Sequence, residues 1–117
     1  MEQPIPTVTR EDIYRIIKRD FPENQREEAQ KIVDEYRKED YEREHNRVKA
    51  AALKNADGKV EQLKREINRA KTDYRDVLLS AEYPLCAKRM FDKNYDNEKE
   101  KIYEEDWKQY NEWFTKQ

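Results

Sequence analysis

His45 and Cys86 have the widest chemical range of any side chains in this chain, and each is the only residue of its type. A histidine can act as a general base, and Glu42 with His45 has the Glu-x-x-His spacing that di-iron helix bundles use. Such a centre needs the motif on two helices plus further glutamates, so one chain supplies half of it and a second copy would have to bring the rest. His45 also falls on the apolar face of its helix, where a hydrogen-bonded histidine at the edge of a core is the simpler reading. Cys86 becomes a nucleophile only beside an activating base. It follows Pro84-Leu85 in an apolar turn with no histidine near it in sequence, so a small buried hydrophobe is the better reading. One cysteine makes no internal disulfide, and one Cys with one His excludes a cysteine–zinc site. No metal and no cofactor is expected.

Asp73, Asp76 and Glu82, beside Arg75, form a carboxylate cluster that could serve acid/base chemistry. Among 27 acidic residues such groupings arise by chance, and a solvated charged face is the bland alternative. Lys64, Arg65, Arg69 and Lys71 form one basic run; Lys88, Arg89 and Lys93, near Phe91 and Tyr95, form another. Basic and aromatic residues together can hold single-stranded nucleic acid, but Glu61, Glu66, Asp73 and Asp92 interrupt both runs. Nucleic-acid binding therefore ranks third among the readings. A glycine-rich phosphate loop is impossible with a single glycine. The strongest candidate for function is the stripe Tyr103, Trp107, Tyr110, Trp113 and Phe114, because Tyr and Trp are enriched where proteins meet. The competing reading is simple docking of this stripe onto the rest of the chain.

Helices must carry these residues. Charged residues make up 44% of the 117 and the hydrophobic set 35%, with a net charge of only −2. Long helices laced with opposite charges fit this balance better than disorder. Thr9 followed by Asp12 marks a helix start, and Ile13, Ile16 and Ile17 give that helix an apolar stripe ending at Phe21-Pro22. Asn24 with Glu27 has capping-box spacing and opens a second helix. Its apolar positions are Ala29, Ile32, Val33, Tyr36, Tyr41, His45, Val48 and Ala52, with a drift or kink near 37–40 where the step is five. Asp57-Gly58 turns the chain. Val60, Leu63, Ile67, Ala70, Tyr74, Val77 and Ala81 then step by three and four in an unbroken seam, closed by Tyr83-Pro84. After one or two turns and a polar loop at 92–97, Asn97 with Glu100 caps a last helix.

The expected fold is all-α and a single domain. A long antiparallel hairpin (about 24–56 and 59–82) is flanked by a short N-terminal helix (about 10–20) and an aromatic C-terminal helix (about 98–115), after an extended arm at 1–8. Folding about Gly58 places Val48 near Ile67, His45 near Ala70, Tyr41 near Tyr74 and Val33 near Ala81. Such a hairpin needs a cover, either its own flanking helices or a second copy of the chain. No stretch is apolar for long enough to span a membrane, and Met1–Arg10 lacks the layout of a signal peptide. A cytoplasmic protein is the default expectation.

Two stretches, Arg47-Val48…Ala52-Leu53-Lys54…Ala56-Asp57-Gly58 and Asp73-Tyr74-Arg75-Asp76-Val77-Leu78…Ala81-Glu82-Tyr83-Pro84, resemble a set of small bacterial helical proteins to which no activity is attached. The resemblance covers about 40 residues, mostly the second half of the hairpin. It implies a bacterial origin and adds no role. It draws attention to Asp73, Tyr74, Arg75, Asp76, Glu82 and Tyr83 as either a binding cluster or a polar lock on the chain after Pro84. The leading expectation is a non-enzymatic helical interaction protein, a homodimer or an accessory of another protein. The alternative is a small-ligand protein or enzyme using the cluster at the end of the third helix.

Overall fold

Thr9 and Asp12 cap each other's backbone at the start of the first helix. The Asp12 amide donates to Thr9 Oγ1 at 3.2 Å and the Thr9 amide donates to Asp12 Oδ2 at 3.0 Å, so two otherwise orphaned donors are satisfied. This and the following geometry come from a computed structural model that describes residues 7–37 and 45–116. Its regular elements are all helical: α1 (Arg10–Asp20), α2 (Glu23–Asp34), α3 (His45–Ala56), α4 (Val60–Glu82), α5 (Pro84–Arg89) and α6 (Tyr95–Thr115), with a 3-10 turn at Glu35–Arg37. The all-α class expected from the composition is the one observed. Tyr41 and Glu42 lie outside the described residues, and with them the expected Tyr41–Tyr74 pair and the Glu-x-x-His motif.

The centre of the molecule is α3. Every residue from Val48 to Leu53 is buried, Lys49 included. The run Ala50-Ala51-Ala52 explains how: side chains this small let neighbouring helices approach on all sides. The amphipathic pattern anticipated only a stripe through Val48 and Ala52. α1 brings Ile13, Ile16 and Ile17 to the core, α2 brings Ala29, Ile32 and Val33, and α6 brings Tyr110 and Phe114. The chain thus supplies its own cover for the helix pair.

The expected arms are not simple rods. The first ends its regular helix at Asp34 and tightens into the 3-10 turn, where Tyr36 is buried and meets the His45 ring edge-on at 6.0 Å. The expected drift or kink near 37–40 lies largely outside the described residues. The second arm departs from the unbroken seam. Asp73 sits at φ −152°, ψ 94° inside α4, an extended conformation typical of a helix N-cap. Its Oδ1 accepts from the Arg75 amide at 3.1 Å. Asp73 therefore ends one helical segment and caps the next.

The bend overturns the expected register. Arg69 reaches the Asp76 carbonyl at 3.4 Å and Ser80 Oγ at 3.3 Å, although eleven residues of straight helix would span about 16 Å. Asn55 Nδ2 donates to Glu66 Oε1 at 2.9 Å and to the Val77 carbonyl at 3.2 Å, one on each side of the bend. Glu82 meets Arg47, where a straight hairpin would have set Arg47 near residue 68. Both halves of α4 pack on α3.

The starts of α2 and α6 also differ from expectation. α2 begins at Glu23 behind Pro22 with no side-chain cap, and α6 begins at Tyr95 behind Asn94. Asn24, Asn97 and Glu100 are therefore inside helices, and the loop before α6 is shorter than 92–97 suggested. The first turns of both helices are exposed or half-buried, and helix ends of this kind vary by a residue or two.

Asp57 (φ 51°) and Gly58 (φ 75°) make the α3–α4 turn in left-handed conformations. A Cβ on Gly58 would stand 2.7 Å from the Asp20 carbonyl oxygen at the end of α1. Gly58→Ala combines a disfavoured backbone with a clash against fixed backbone, so it should destabilise the fold by about 2 kcal/mol. Urea unfolding followed by circular dichroism checks this; an unchanged midpoint would show that the turn is not pressed against α1.

Candidate functional site

The aromatic helix α6 is positioned by polar groups near its middle and at its C-terminal end. Near its middle, fully buried Asp106 accepts from the Leu85 amide at 2.9 Å through Oδ1 and from the Cys86 amide at 3.0 Å through Oδ2. It caps α5 from another helix, placing a carboxylate where the first amides of α5 have no partner. Gln109 donates to the carbonyls of Ala81 at 3.2 Å and Asp106 at 2.9 Å, tying α6 to the end of α4. At the far end, Arg15 donates to the Phe114 carbonyl at 2.7 Å and Arg19 to the Trp113 carbonyl at 2.6 Å. The two guanidiniums lie over the Phe114 and Trp113 rings at 5.4 and 5.1 Å. They neutralise the carbonyl end of α6 and cover its aromatic rings at once.

These contacts set which face of α6 is buried. The inner face is Ile102, Asp106, Tyr110 and Phe114. Tyr103, Trp107 and Trp113 are half-buried. The expected stripe is therefore divided: Tyr110 and Phe114 belong to the core, while Tyr103, Trp107 and Trp113 form its outer edge. Asp106 was missed because a carboxylate reads as surface. The available signal was its position on the Ile102–Tyr110 line at helical spacing.

The other candidate cluster is not one site. Asp73 caps the second segment of α4 and pairs with Arg75 at 3.3 Å; Arg75 and Asp76 are exposed. Tyr74 is half-buried against the core. Glu82 is fully buried and takes both arms of Arg47, Nε to Oε2 at 2.8 Å and Nη2 to Oε1 at 2.7 Å. That two-point geometry is the strong form of the guanidinium–carboxylate pair. Tyr83 packs edge-on against Tyr103 of α6, with ring centres 5.9 Å apart. Glu82 is thus tied to α3 through Arg47, and Tyr83 meets α6 through Tyr103. Asp73, Arg75 and Asp76 are engaged at the bend.

Cys86 is buried, and His45 packs against Tyr36. Hydrogen bonding to Tyr103, then desolvation and a hydrogen bond with Cys86, push the Tyr95 phenol above its ordinary pKa. Burial lowers the Lys54 ammonium, with Asp106 opposing it. Among the described residues no group of three or more His, Cys, Asp and Glu could hold a metal. A small recess of about 140 Å³ is lined by Arg10, Ile13, Gln30, Asp34, Asn46 and Lys49, and a wider groove of about 630 Å³ runs along the outer face of α1. Neither contains a residue of the α4 cluster. Among the described residues no helix is long and apolar enough to cross a membrane.

Among the described residues the most exposed large hydrophobic side chain is Phe91, 92% accessible, next to exposed Met90 in the turn between α5 and α6. Arg89 braces this turn from within by pairing with Asp92 at 3.2 Å and with Glu98. Compared with known proteins, the chain matches no family model, no curated protein and no solved structure.

Two outcomes follow from this geometry. Asp106→Ala leaves two buried amides without an acceptor and should cost about 2 kcal/mol in urea unfolding, with Asp106→Asn losing less. An Asp106→Ala chain as stable as the parent would remove the cap from the account. Tyr110 concerns alkaline pH. Its hydroxyl is buried with no hydrogen-bond partner among the described residues, and desolvation, then Glu82, holds its pKa above the usual value near 10. The unfolded phenol ionises near pH 10 while the folded one keeps its proton, so stability falls as pH rises above 10. Tyr110→Phe should flatten that fall and leave neutral-pH stability equal or slightly higher; an identical alkaline profile would contradict it.

Proposed function

We propose that this chain is a non-enzymatic helical interaction protein that associates with a second copy of itself or serves as an accessory to another protein. The observation that carries the reading is Phe91, an almost fully exposed aromatic side chain in a turn held in shape by Arg89. Large apolar groups presented singly are common on surfaces. Here Phe91 joins Met90, and the outer edge of α6 adds half-buried Tyr103 and Trp107 on the same helical hairpin. Aromatic and methionine side chains of this kind are enriched at contact centres. Among the described residues the buried carboxylates Glu66, Glu82 and Asp106 have partners within the fold, which weighs against the enzyme or ligand reading. Interspersed acids in both basic runs weigh against nucleic acid, and Lys64 pairs with Glu61. A bacterial cytoplasm is the setting we assign to this role, following the resemblance of the α3–α4 segments.

The measurement is light scattering across a concentration series, together with affinity recovery of partners, for the parent and for Phe91→Ser. The parent should form dimers or recover a stoichiometric partner. Phe91→Ser should weaken that association about tenfold or more while leaving the melting temperature within a degree or two, since Phe91 packs on little of the core. A strictly monomeric parent that recovers no partner would end the proposal.

A further inference from the structure

The bend in α4 has no residue that forces it. Gly58 is the only glycine, and the prolines are Pro4, Pro6, Pro22 and Pro84. Around Asp73 the sequence is Lys71-Thr72-Asp73-Tyr74-Arg75, and the seam from Val60 to Ala81 keeps its three–four spacing straight through it. Sharp bends usually coincide with proline, glycine pairs or an inserted group. This one is held by polar contacts: the Asp73 cap on Arg75, the Asn55 bridge between Glu66 and Val77, and Arg69 on Asp76 and Ser80. Leu63, Ile67 and Ala70 before the bend and Val77 and Ala81 after it are all buried against the core. One seam therefore serves two shapes. Bent, both halves pack on the same α3; straight, they lie on one face of a continuous helix about 34 Å long.

We propose that Asp73 is a hinge through which two copies of this chain exchange their C-terminal halves. When α4 straightens, its second segment leaves with α5 and α6 as one arm, because Asp106 and Gln109 bind that arm together. The arm seats on α3 of a second copy. Every contact across the hinge is re-made between chains: Arg47 with Glu82, Asn55 with Val77, and Arg15 and Arg19 with the end of α6. Such exchange needs no new surface, only a hinge with two accessible conformations. The inference rests on the self-association proposed above and adds arm exchange to the surface contact of Phe91.

The Arg47–Glu82 junction supplies the test. In a closed monomer, Arg47→Glu sets carboxylate against carboxylate and Glu82→Arg sets guanidinium against guanidinium, so each chain alone should be unstable. In an exchanged pair made of one of each, both junctions regain one guanidinium and one carboxylate, and one of the two is the native pair. Co-refolding the two full-length chains from urea, under reducing conditions that protect Cys86, should give a one-to-one dimer by native mass spectrometry. That dimer should melt well above either chain alone. The second arm uses Asp73 itself. Asp73→Ala removes the cap and inserts the best helix former, so the dimer share at fixed concentration should rise about tenfold, while Asp73→Asn, which keeps a cap, should leave it near the parent value. Parent dimers without complementation and without an Asp73→Ala effect would overturn the exchange and leave surface self-association standing. Monomers throughout, with no complementation, would overturn both.

Discussion

A helix buried on every side dictates this structure. From Val48 to Leu53 α3 offers no face to solvent, so it needs neighbours all round it. A single straight partner covers one side of such a helix. The chain answers with two segments of α4 bent about Asp73 and with α1 and the 3-10 turn, while α2 and α6 pack mainly on α4 and its neighbours. Alanine at three consecutive positions makes the close approach possible. The burial of apolar surface around α3 is the main favourable term in a chain with few large hydrophobic residues.

The polar groups follow from that crowding. Once helices meet on all sides of α3, helix ends and bends fall inside the molecule, where unpaired backbone groups are costly. Glu66, Glu82 and Asp106 are buried, and their partners are the Asn55 amide group, the Arg47 guanidinium and the start of α5 respectively. Tyr110 is the exception; its hydroxyl has no such partner among the described residues. A carboxylate count that reads as surface charge conceals several interior fasteners.

Much of the frame was legible in the residues. Thr9 with Asp12, the isoleucines of α1, the stop at Phe21-Pro22 and the turn at Asp57-Gly58 carry local signals whose physics does not depend on the rest of the fold. The hairpin's straightness was misread because apolar period is blind to direction: a three–four seam survives a bend that keeps both halves inside. No proline or glycine stands near Asp73 to mark the break, and the three–four seam runs straight through it. On α6 the aromatic residues drew the stripe toward Tyr103 and Trp107, whereas the interior line runs through Ile102 and Asp106. An acid inside an apolar line is a signal only once its partner, here the start of α5, is known to lie beside it.

Arg15 and Arg19 join residues 94 to 101 positions away at the end of α6. Closing so long a loop carries a larger entropic cost than forming the α3–α4 turn, although that cost grows only with the logarithm of length. Contacts of this range slow folding and belong to its later stages. The helices around α3 can assemble through near neighbours, while the arginines meet their carbonyls only after most of the chain is in place. The clamp between α1 and α6 therefore acts on the durability of the finished molecule more than on the speed of its formation: it is a latch that raises the barrier to opening.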